Sequence, residues 1–250
     1  MFTQCALRPL ILLLIGTLLL SGVAPAHAAP PRALTALSGH TATQLLDGRV
    51  LVTGGDDAST RFYRPSAAGA QAGPPLRTLR RRHTATLLLD GAVLVVGGLD
   101  AGNAALSSGE RFDPLANQWR AVTMPAVPRA GHTATLLDDG SVLVVGGDDG
   151  AGNATATAEH YDPTQDRWIT LAPLALARTG HTATLLSDGR VAVIGGRNQT
   201  SVLSSVELFD PATGAWTTAS FGLQTPRFDH TATLRTDGRI AVVGGSNRFD

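Results

Sequence analysis

The sequence predicts an all-β fold, a β-propeller of four-stranded antiparallel blades. Three observations predict it: a unit recurring about every 49 residues, apolar strands without alternation inside each unit, and glycine pairs at fixed offsets. Strands without alternation are buried on both faces, and such sheets repeated at this period stack radially. We expect about four and a half repeats, an incomplete or truncated array, with repeats beginning near residues 39, 82, 131, 180 and 229.

The first half of each unit opens with His-Thr-Ala-Thr, with Asp-Gly seven residues after the histidine and Gly-Gly fourteen residues after it. In the third repeat, residues 133–137 and 142–145 are the predicted first and second strands. Asp139-Gly140 joins them in a tight turn, because glycine tolerates positive φ and the Asp side chain can bond its own backbone. The repeat histidines are His40, His83, His132, His181 and His230.

The second half reads Glu-x-Phe/Tyr-Asp-Pro, with a tryptophan five residues after the proline. It predicts a third strand, a turn at Asp-Pro and a fourth strand. We expect the tryptophans to pack between blades. We expect the glutamates, the only three in the chain, to accept bonds from arginine or backbone N–H groups in a partly buried place. These residues are Glu110, Glu159, Glu207, Trp119, Trp168 and Trp216.

This unit resembles the kelch repeat, and more narrowly the galactose-oxidase-like kelch propellers of bacteria. The resemblance rests on Arg-x-Gly-His, Asp-Gly, Gly-Gly, Glu-x-Phe/Tyr-Asp-Pro and Trp, and it covers residues 39–250. It implies six or seven blades closed by strands from both chain ends, so we expect a shortened relative or a fragment of a longer propeller. The first repeat departs from the pattern, with Leu37, Arg61 and Ala70 where the others have Arg, Glu and Trp.

Residues 1–28 are predicted to be a signal peptide, followed by a propeller domain over residues 29–250. Arg8 precedes an apolar run over residues 10–20, and Ala26-His27-Ala28 is a cleavage motif. The run is too short for a membrane anchor, which needs about 20 apolar residues. We therefore expect cleavage after Ala28 and a secreted or periplasmic protein with no stable membrane anchor.

The composition argues against several partners and cofactors. Twenty basic and twenty acidic residues cancel, so no net charge attracts nucleic acid or a membrane surface. The single Cys5 lies in the signal segment, which removes disulfides, thiolate metal sites and cysteine nucleophiles from the mature chain. One histidine per blade lies around a ring and does not converge on one ion. We predict no cofactor, no metal site and no catalytic residue.

Ligand binding is predicted on the variable loops. Tight Asp-Gly and Asp-Pro turns share one rim of the predicted blades. The connections from the second to the third strand and from the fourth to the next first strand share the other rim. Binding residues usually lie on such variable loops of a rigid scaffold. Acidic Gly/Asn-rich loops could bind Ca²⁺ through carboxylate and carbonyl oxygens. The alternative interpretation is that they are solvated turns without a ligand. The candidate binding residues are Asp56, Asp57, Asp100, Asn103, Asp148, Asp149, Asn153, Arg197 and Asn198.

These features predict a binding or scaffolding module for a glycan or another exported protein, with no oxidase or hydrolase activity. The resemblance implies an alternative, a sugar-modifying kelch enzyme of an isomerase-like type, which needs only a few polar groups in the central channel. A galactose-oxidase-like enzyme would need a Cys-Tyr crosslink, and the mature chain lacks cysteine. His160 stands outside the repeat histidines, and Asp148 and Asp149 are its nearest acidic candidates in the sequence.

Overall fold

The structure is a computed structural model that describes residues 38–66 and 69–248. Within these ranges, 18 β-strands form four four-stranded sheets and one two-stranded sheet, and no helix occurs. All strand pairs are antiparallel, and neighbouring strands follow the chain order, so each sheet is a meander. We number the sheets blade 1 to blade 5 along the chain. The all-β fold of repeated four-stranded blades is confirmed, and the proposed signal peptide lies outside the described residues.

In blades 1 to 4 the first strand follows the repeat histidine and the second strand precedes the glycine pair, whereas the longer strands of blade 5 include His230 and Gly244-Gly245. The first strands are β1 Thr41–Gln44, β5 Thr84–Leu87, β9 Thr133–Leu136, β13 Thr182–Leu185 and β17 Phe228–Leu234. The second strands are β2 Val50–Thr53, β6 Val93–Val96, β10 Val142–Val145, β14 Val191–Ile194 and β18 Ile240–Ser246.

The third and fourth strands come from the second half of the repeat, and the described residues contain them in blades 1 to 4. The third strands are β3 Thr60–Tyr63, β7 Gly109–Asp113, β11 Ala158–Asp162 and β15 Ser205–Asp210. The fourth strands are β4 Ala70–Ala72, β8 Gln118–Ala121, β12 Arg167–Thr170 and β16 Ala215–Gly222.

The core consists of apolar layers between consecutive blades. In β6, Val93 and Val95 pack toward Leu51 of blade 1. Leu94 and Val96 on the opposite face pack toward blade 3. Each fully buried aliphatic side chain stabilises the fold by about 1.5–3 kcal/mol. The unbroken apolar runs of the second strands therefore follow from burial on both faces.

The repeat tryptophans reach from their own blade to the preceding part of the array. The Trp119 indole N–H donates to Thr60 Oγ1 of blade 1 at 3.2 Å, and its ring lies 5.1 Å from the ring of Phe112. Trp168 donates to the carbonyl of Thr123, which follows β8, at 2.8 Å. The predicted packing between blades is confirmed, with Trp119 buried and Trp168 half-buried.

A buried arginine ties the loop entering each of blades 2 to 4 to that blade's third strand. Arg129 Nη1 donates to the carbonyl of Gly146 at 3.0 Å, and Nη2 pairs with the carboxylate of Glu159. Glu159 also accepts the backbone N–H of Ala126 at 2.6 Å. The equivalent pairs are Arg80–Glu110 and Arg178–Glu207. The glutamates are fully buried, deeper than predicted, because the loop covers them.

The described blades form an open arc. Four apolar clusters join consecutive blades, and none joins blade 5 to blade 1 within the described ranges. In the same ranges β18 pairs only with β17. The prediction of an incomplete array is confirmed.

Candidate binding site at the channel mouth

A ladder of backbone hydrogen bonds runs around the inner ends of the blades, where the first strands begin. In blades 2 to 5, the residue before the repeat histidine donates its N–H to the carbonyl of its counterpart in the preceding blade, over 2.7–3.3 Å. All five of these residues have φ between 53° and 70°. They are Gly39, Arg82, Gly131, Gly180 and Asp229.

Arg82 and Asp229 are exceptional in this ladder because the other three positions are glycine. A left-handed conformation disfavours a residue with a Cβ by about 1–2 kcal/mol, although Asp tolerates it better than Arg. Strained residues of this kind cluster at ligand-binding and active sites. Both positions therefore carry a side chain although glycine would adopt the same backbone conformation with less strain.

Both side chains line a cleft of about 440 Å³ beside this ladder of backbone hydrogen bonds, which we call the channel mouth. Arg197 also lines it, and the Arg197 guanidinium lies 4.6 Å from the ring centre of Phe228. The lining is mainly polar. The remaining lining residues are Gly131, Gly180, His83, His132, His181 and His230.

The repeat histidines link the blades in pairs. His181 Nε2 lies 3.0 Å from Thr133 Oγ1 of the preceding blade, and the other three histidines of the cleft repeat this contact. Burial, followed by the nearby guanidinium of Arg178, lowers the pKa of His181 to about 3. The pKa of His83 is lowered to about 3 in the same way. These rings are therefore neutral at ordinary pH and give the cleft an uncharged wall.

A charged clamp holds Arg82 in place and joins three blades. Arg82 Nη2 donates to Asp148 Oδ2 at 2.7 Å, and Thr179 Oγ1 donates to the same oxygen at 2.7 Å. Asp148 is buried, whereas 44% of the Arg82 side chain is exposed. The clamp fixes the guanidinium through Nη2, and the Arg82 side chain lines the cleft. Arg82 lies on the connection between a fourth and a first strand, and Asp148 lies on the connection between a second and a third strand. Their contact confirms that these two kinds of variable loop share a rim.

The burial of Asp148 predicts a stability effect. We expect Asp148→Ala to lower the free energy of unfolding by about 1–3 kcal/mol, because it leaves two donors without their acceptor. Asp149→Ala is the matched control next to it, on an exposed loop, and should change stability by less than about 0.5 kcal/mol. Urea denaturation measures both, and equal midpoints for the two variants would contradict the clamp.

Most of the other predicted binding residues shape their own loops. Asp149 Oδ1 accepts the backbone N–H of Asn153 at 3.0 Å, and the Asn153 amide donates to Oδ2 at 2.7 Å. Hydrogen bonds to Asn153 lower the pKa of Asp149. Asp100 accepts two backbone N–H groups of its own loop. Asn103 accepts from Arg81 at 2.7 Å.

The remaining candidates follow the same pattern. Asn198 Oδ1 accepts bonds from the backbone and hydroxyl groups of Thr200 and Ser201. Asp57 accepts the N–H of Ser59 at 2.8 Å, and Asp56 accepts that of Ser38 at 3.3 Å. Of the nine candidates, the structure connects Asp148 and Arg197 to the cleft. Arg82 and Asp229 were missed, although comparing the repeats shows a charged residue where glycine recurs.

A second cleft, of about 360 Å³, lies on the opposite rim between the Asp-Gly turns of blades 2 and 3. His160 lines it together with Asp139 and Asp162. Its acidic neighbours are therefore not Asp148 and Asp149, which belong to the other rim. The expectation was wrong because Asp148 and Asp149 follow β10 at one rim, whereas His160 and Asp162 lie toward the end of β11 at the other rim.

Comparison with known proteins agrees with the repeated blades. Residues 39–245 match the family model of the KLHDC2/KLHL20/DRC7 Kelch-repeats domain. The chain is a kelch-repeat protein. A search of curated protein sequences finds no match for this kelch protein. No helix among its described residues is long and apolar enough to cross a membrane.

One solved structure similar to the kelch protein is that of a "Novel fungal alcohol oxidase with catalytic diversity among the AA5 family, in complex with copper". The TM-score is 0.54 at 19% sequence identity, over 81% of the kelch protein and 57% of the oxidase chain. The kelch protein thus spans little more than half of that chain. At this identity the likeness shows a shared fold and carries no activity across.

Proposed function

We propose that this kelch protein is an exported binding module that holds a glycan at the channel mouth. One observation carries the proposal: Arg82, Arg197 and Asp229 do not recur with the repeat, yet they line the same cleft. Residues that recur in every blade serve the fold, whereas these three converge on one place. The features of residues 1–28 support export.

The chemistry of the cleft favours a ligand rich in hydroxyl groups. Arg82 supplies donors that the clamp with Asp148 has oriented, and the exposed carboxylate of Asp229 supplies an acceptor. A cleft of about 440 Å³ falls in the size range of small-ligand sites. A stable protein interface would instead need a surface of about 1,000 Å² or more with aromatic anchors. The cleft therefore supports a glycan better than a folded protein.

The test is a glycan array followed by calorimetry on the best ligand, with Asp229→Gly as the variant. Glycine occupies this ladder position in three other blades, so the backbone is retained and its strain is removed. We expect affinity to fall about tenfold or more, because a charged hydrogen-bond partner is lost. The melting temperature should stay level or rise.

Asp149→Ala is the control, since this carboxylate lies on the same rim outside the cleft lining. It should leave glycan affinity unchanged. No array signal for the parent protein, or an Asp229→Gly variant that binds as tightly as the parent, would refute a glycan site in the cleft. Capture of a protein without any glycan signal would do the same.

A further inference from the structure

The two charged residues of the ladder extend over the two glycines that lie between them. A Cβ placed on Gly131 would lie 2.6 Å from Arg82 Nη2. A Cβ placed on Gly180 would lie 2.6 Å from Asp229 Oδ1. Gly180 donates its N–H to the carbonyl of Gly131, so the two glycines are neighbours in the ladder. The guanidinium and the carboxylate therefore lie at adjacent places over a floor made of Gly131 and Gly180, which we call the glycine floor.

The glycine floor lies in the middle of the described arc. Gly131 belongs to blade 3 and Gly180 to blade 4, and apolar clusters join each of these blades to a described blade on both sides. A side chain at either glycine would occupy the space that the charged groups now fill. The floor therefore stays bare and the two charged groups remain at the cleft.

The two charged groups do not neutralise each other. Among the described residues, Arg82 pairs with Asp148 at 2.7 Å and not with Asp229. Asp148 is itself fixed, because Oδ2 accepts from Thr179 Oγ1 at 2.7 Å and Oδ1 accepts the N–H of Gly150 at 3.1 Å. This network holds the guanidinium over its own glycine. The carboxylate of Asp229 stays exposed beside it.

The rest of the lining adds little charge between them. The pKa of each of the four histidines is lowered, mainly by burial, so their rings are neutral at ordinary pH. Arg197, the other cation of the lining, has its guanidinium against the ring of Phe228. The pair of opposite charges over the glycine floor is therefore the most distinctive chemical feature of the cleft.

A pair of separated opposite charges favours a ligand with the complementary pair. A charged group that loses water without gaining a counter-charge costs free energy, and neutral hydroxyl groups would leave both charges in that state. Charge-assisted hydrogen bonds are shorter than neutral ones and about twice as strong. A ligand with one anionic and one cationic group would compensate both charges at once.

We propose that the glycan bound at the channel mouth is zwitterionic, with a carboxylate at Arg82 and a protonated amino group at Asp229. This inference rests on the glycan site proposed above and narrows its ligand to a class. That class contains an amino sugar with a free amino group next to an acidic sugar. The glycine floor lets the sugar rings approach the backbone between the two charges.

The probe is a disaccharide of glucosamine and glucuronic acid, measured by calorimetry on the full chain. Three matched forms accompany it: the N-acetylated disaccharide, the carboxyl-reduced disaccharide, and the neutral disaccharide with both changes. We expect the unmodified disaccharide to bind most tightly. Each single modification should weaken binding about tenfold or more, because one charged hydrogen-bond partner is lost.

Two protein variants assign each charge to its residue. Asp229→Asn keeps the shape of the side chain and a residue type that tolerates positive φ. It should bind the free-amine and N-acetylated forms equally and still prefer the carboxylate. Arg82→Gln should show the reverse pattern. Asp149→Asn, on the same rim outside the cleft lining, is the control and should keep both preferences.

The outcomes separate this inference from the glycan site itself. A neutral disaccharide that binds as tightly as the unmodified one would overturn the inference and leave the glycan site standing. The same holds for an Asp229→Asn variant that still distinguishes the free amine from the N-acetylated form. No signal for any glycan, on the array or by calorimetry, would overturn both. If Arg82→Gln loses its β-sheet circular dichroism, the ligand series on the parent protein and on Asp229→Asn decides alone.

Discussion

Acidification from about pH 7 to about pH 5 is expected to destabilise the kelch protein steeply. His83, His132 and His181 are buried, and burial together with nearby arginines lowers the pKa of each below 6.5. In the unfolded chain the same rings accept protons near pH 6.5. The unfolded state therefore binds more protons below that pH, so stability is complete above about pH 6.5 and is lost as the pH falls.

Each of these histidines contributes a slope of up to about 1.4 kcal/mol per pH unit below its unfolded pKa. Together the three give up to about 4 kcal/mol per unit between about pH 6 and pH 4. Urea denaturation at several pH values measures this slope. His132→Gln should reduce this slope by about a third, because it removes one of the three titrating rings. A free energy of unfolding that is flat over this window would contradict neutral buried rings.

The second large effect is expected from Glu159→Gln, which should destabilise the protein by about 3–5 kcal/mol. Both side chains of the Arg129–Glu159 pair are fully buried. Removing the carboxylate leaves the guanidinium buried without its counter-charge, and burial already lowers the pKa of Arg129. The Gln amide keeps one acceptor oxygen, so the tie between the loop entering blade 3 and β11 would be weakened.

Asp188→Asn provides the matched control. Asp188 pairs with Arg190 at 2.7 Å, and both side chains are nearly half exposed. Solvent screens such a pair, so its loss should cost no more than about 1 kcal/mol. Thermal and urea denaturation of the two variants should therefore separate clearly. Similar losses for Glu159→Gln and Asp188→Asn would show that the buried pair contributes no more than the exposed one.

The strands were predictable from the sequence because the same local rules act in every blade. Residues 133–137 and 142–145 were predicted as strands, and the structure has Thr133–Leu136 and Val142–Val145. Gly146 shows why the pattern is so regular: a Cβ there would lie 2.5 Å from the carbonyl oxygen of Arg178. Close approach of backbones between blades thus demands glycine and marks the end of the second strand in blades 1 to 4.

The cleft was less predictable because it depends on contacts between blades. Asp148 was predicted on an exposed loop, since its neighbours are Asp and Gly, but Arg82 and Thr179 from the adjoining blades cover it. Arg82 is 66 residues away in the sequence, and no local pattern connects the two. Asp229 could have been found from the repeat alone, because it occupies a position of recurring glycine.

The Thr–His contacts have a consequence for cooperativity. Each joins one blade to the next, so the array behaves as a one-dimensional chain of nearest-neighbour couplings. A lesion in blade 3 weakens two couplings and separates the blades on either side of it, whereas a lesion in blade 5 weakens one. A destabilising substitution in a middle blade of the described arc should therefore reduce the cooperativity of unfolding most. A substitution in an end blade should cause local unfolding of that blade.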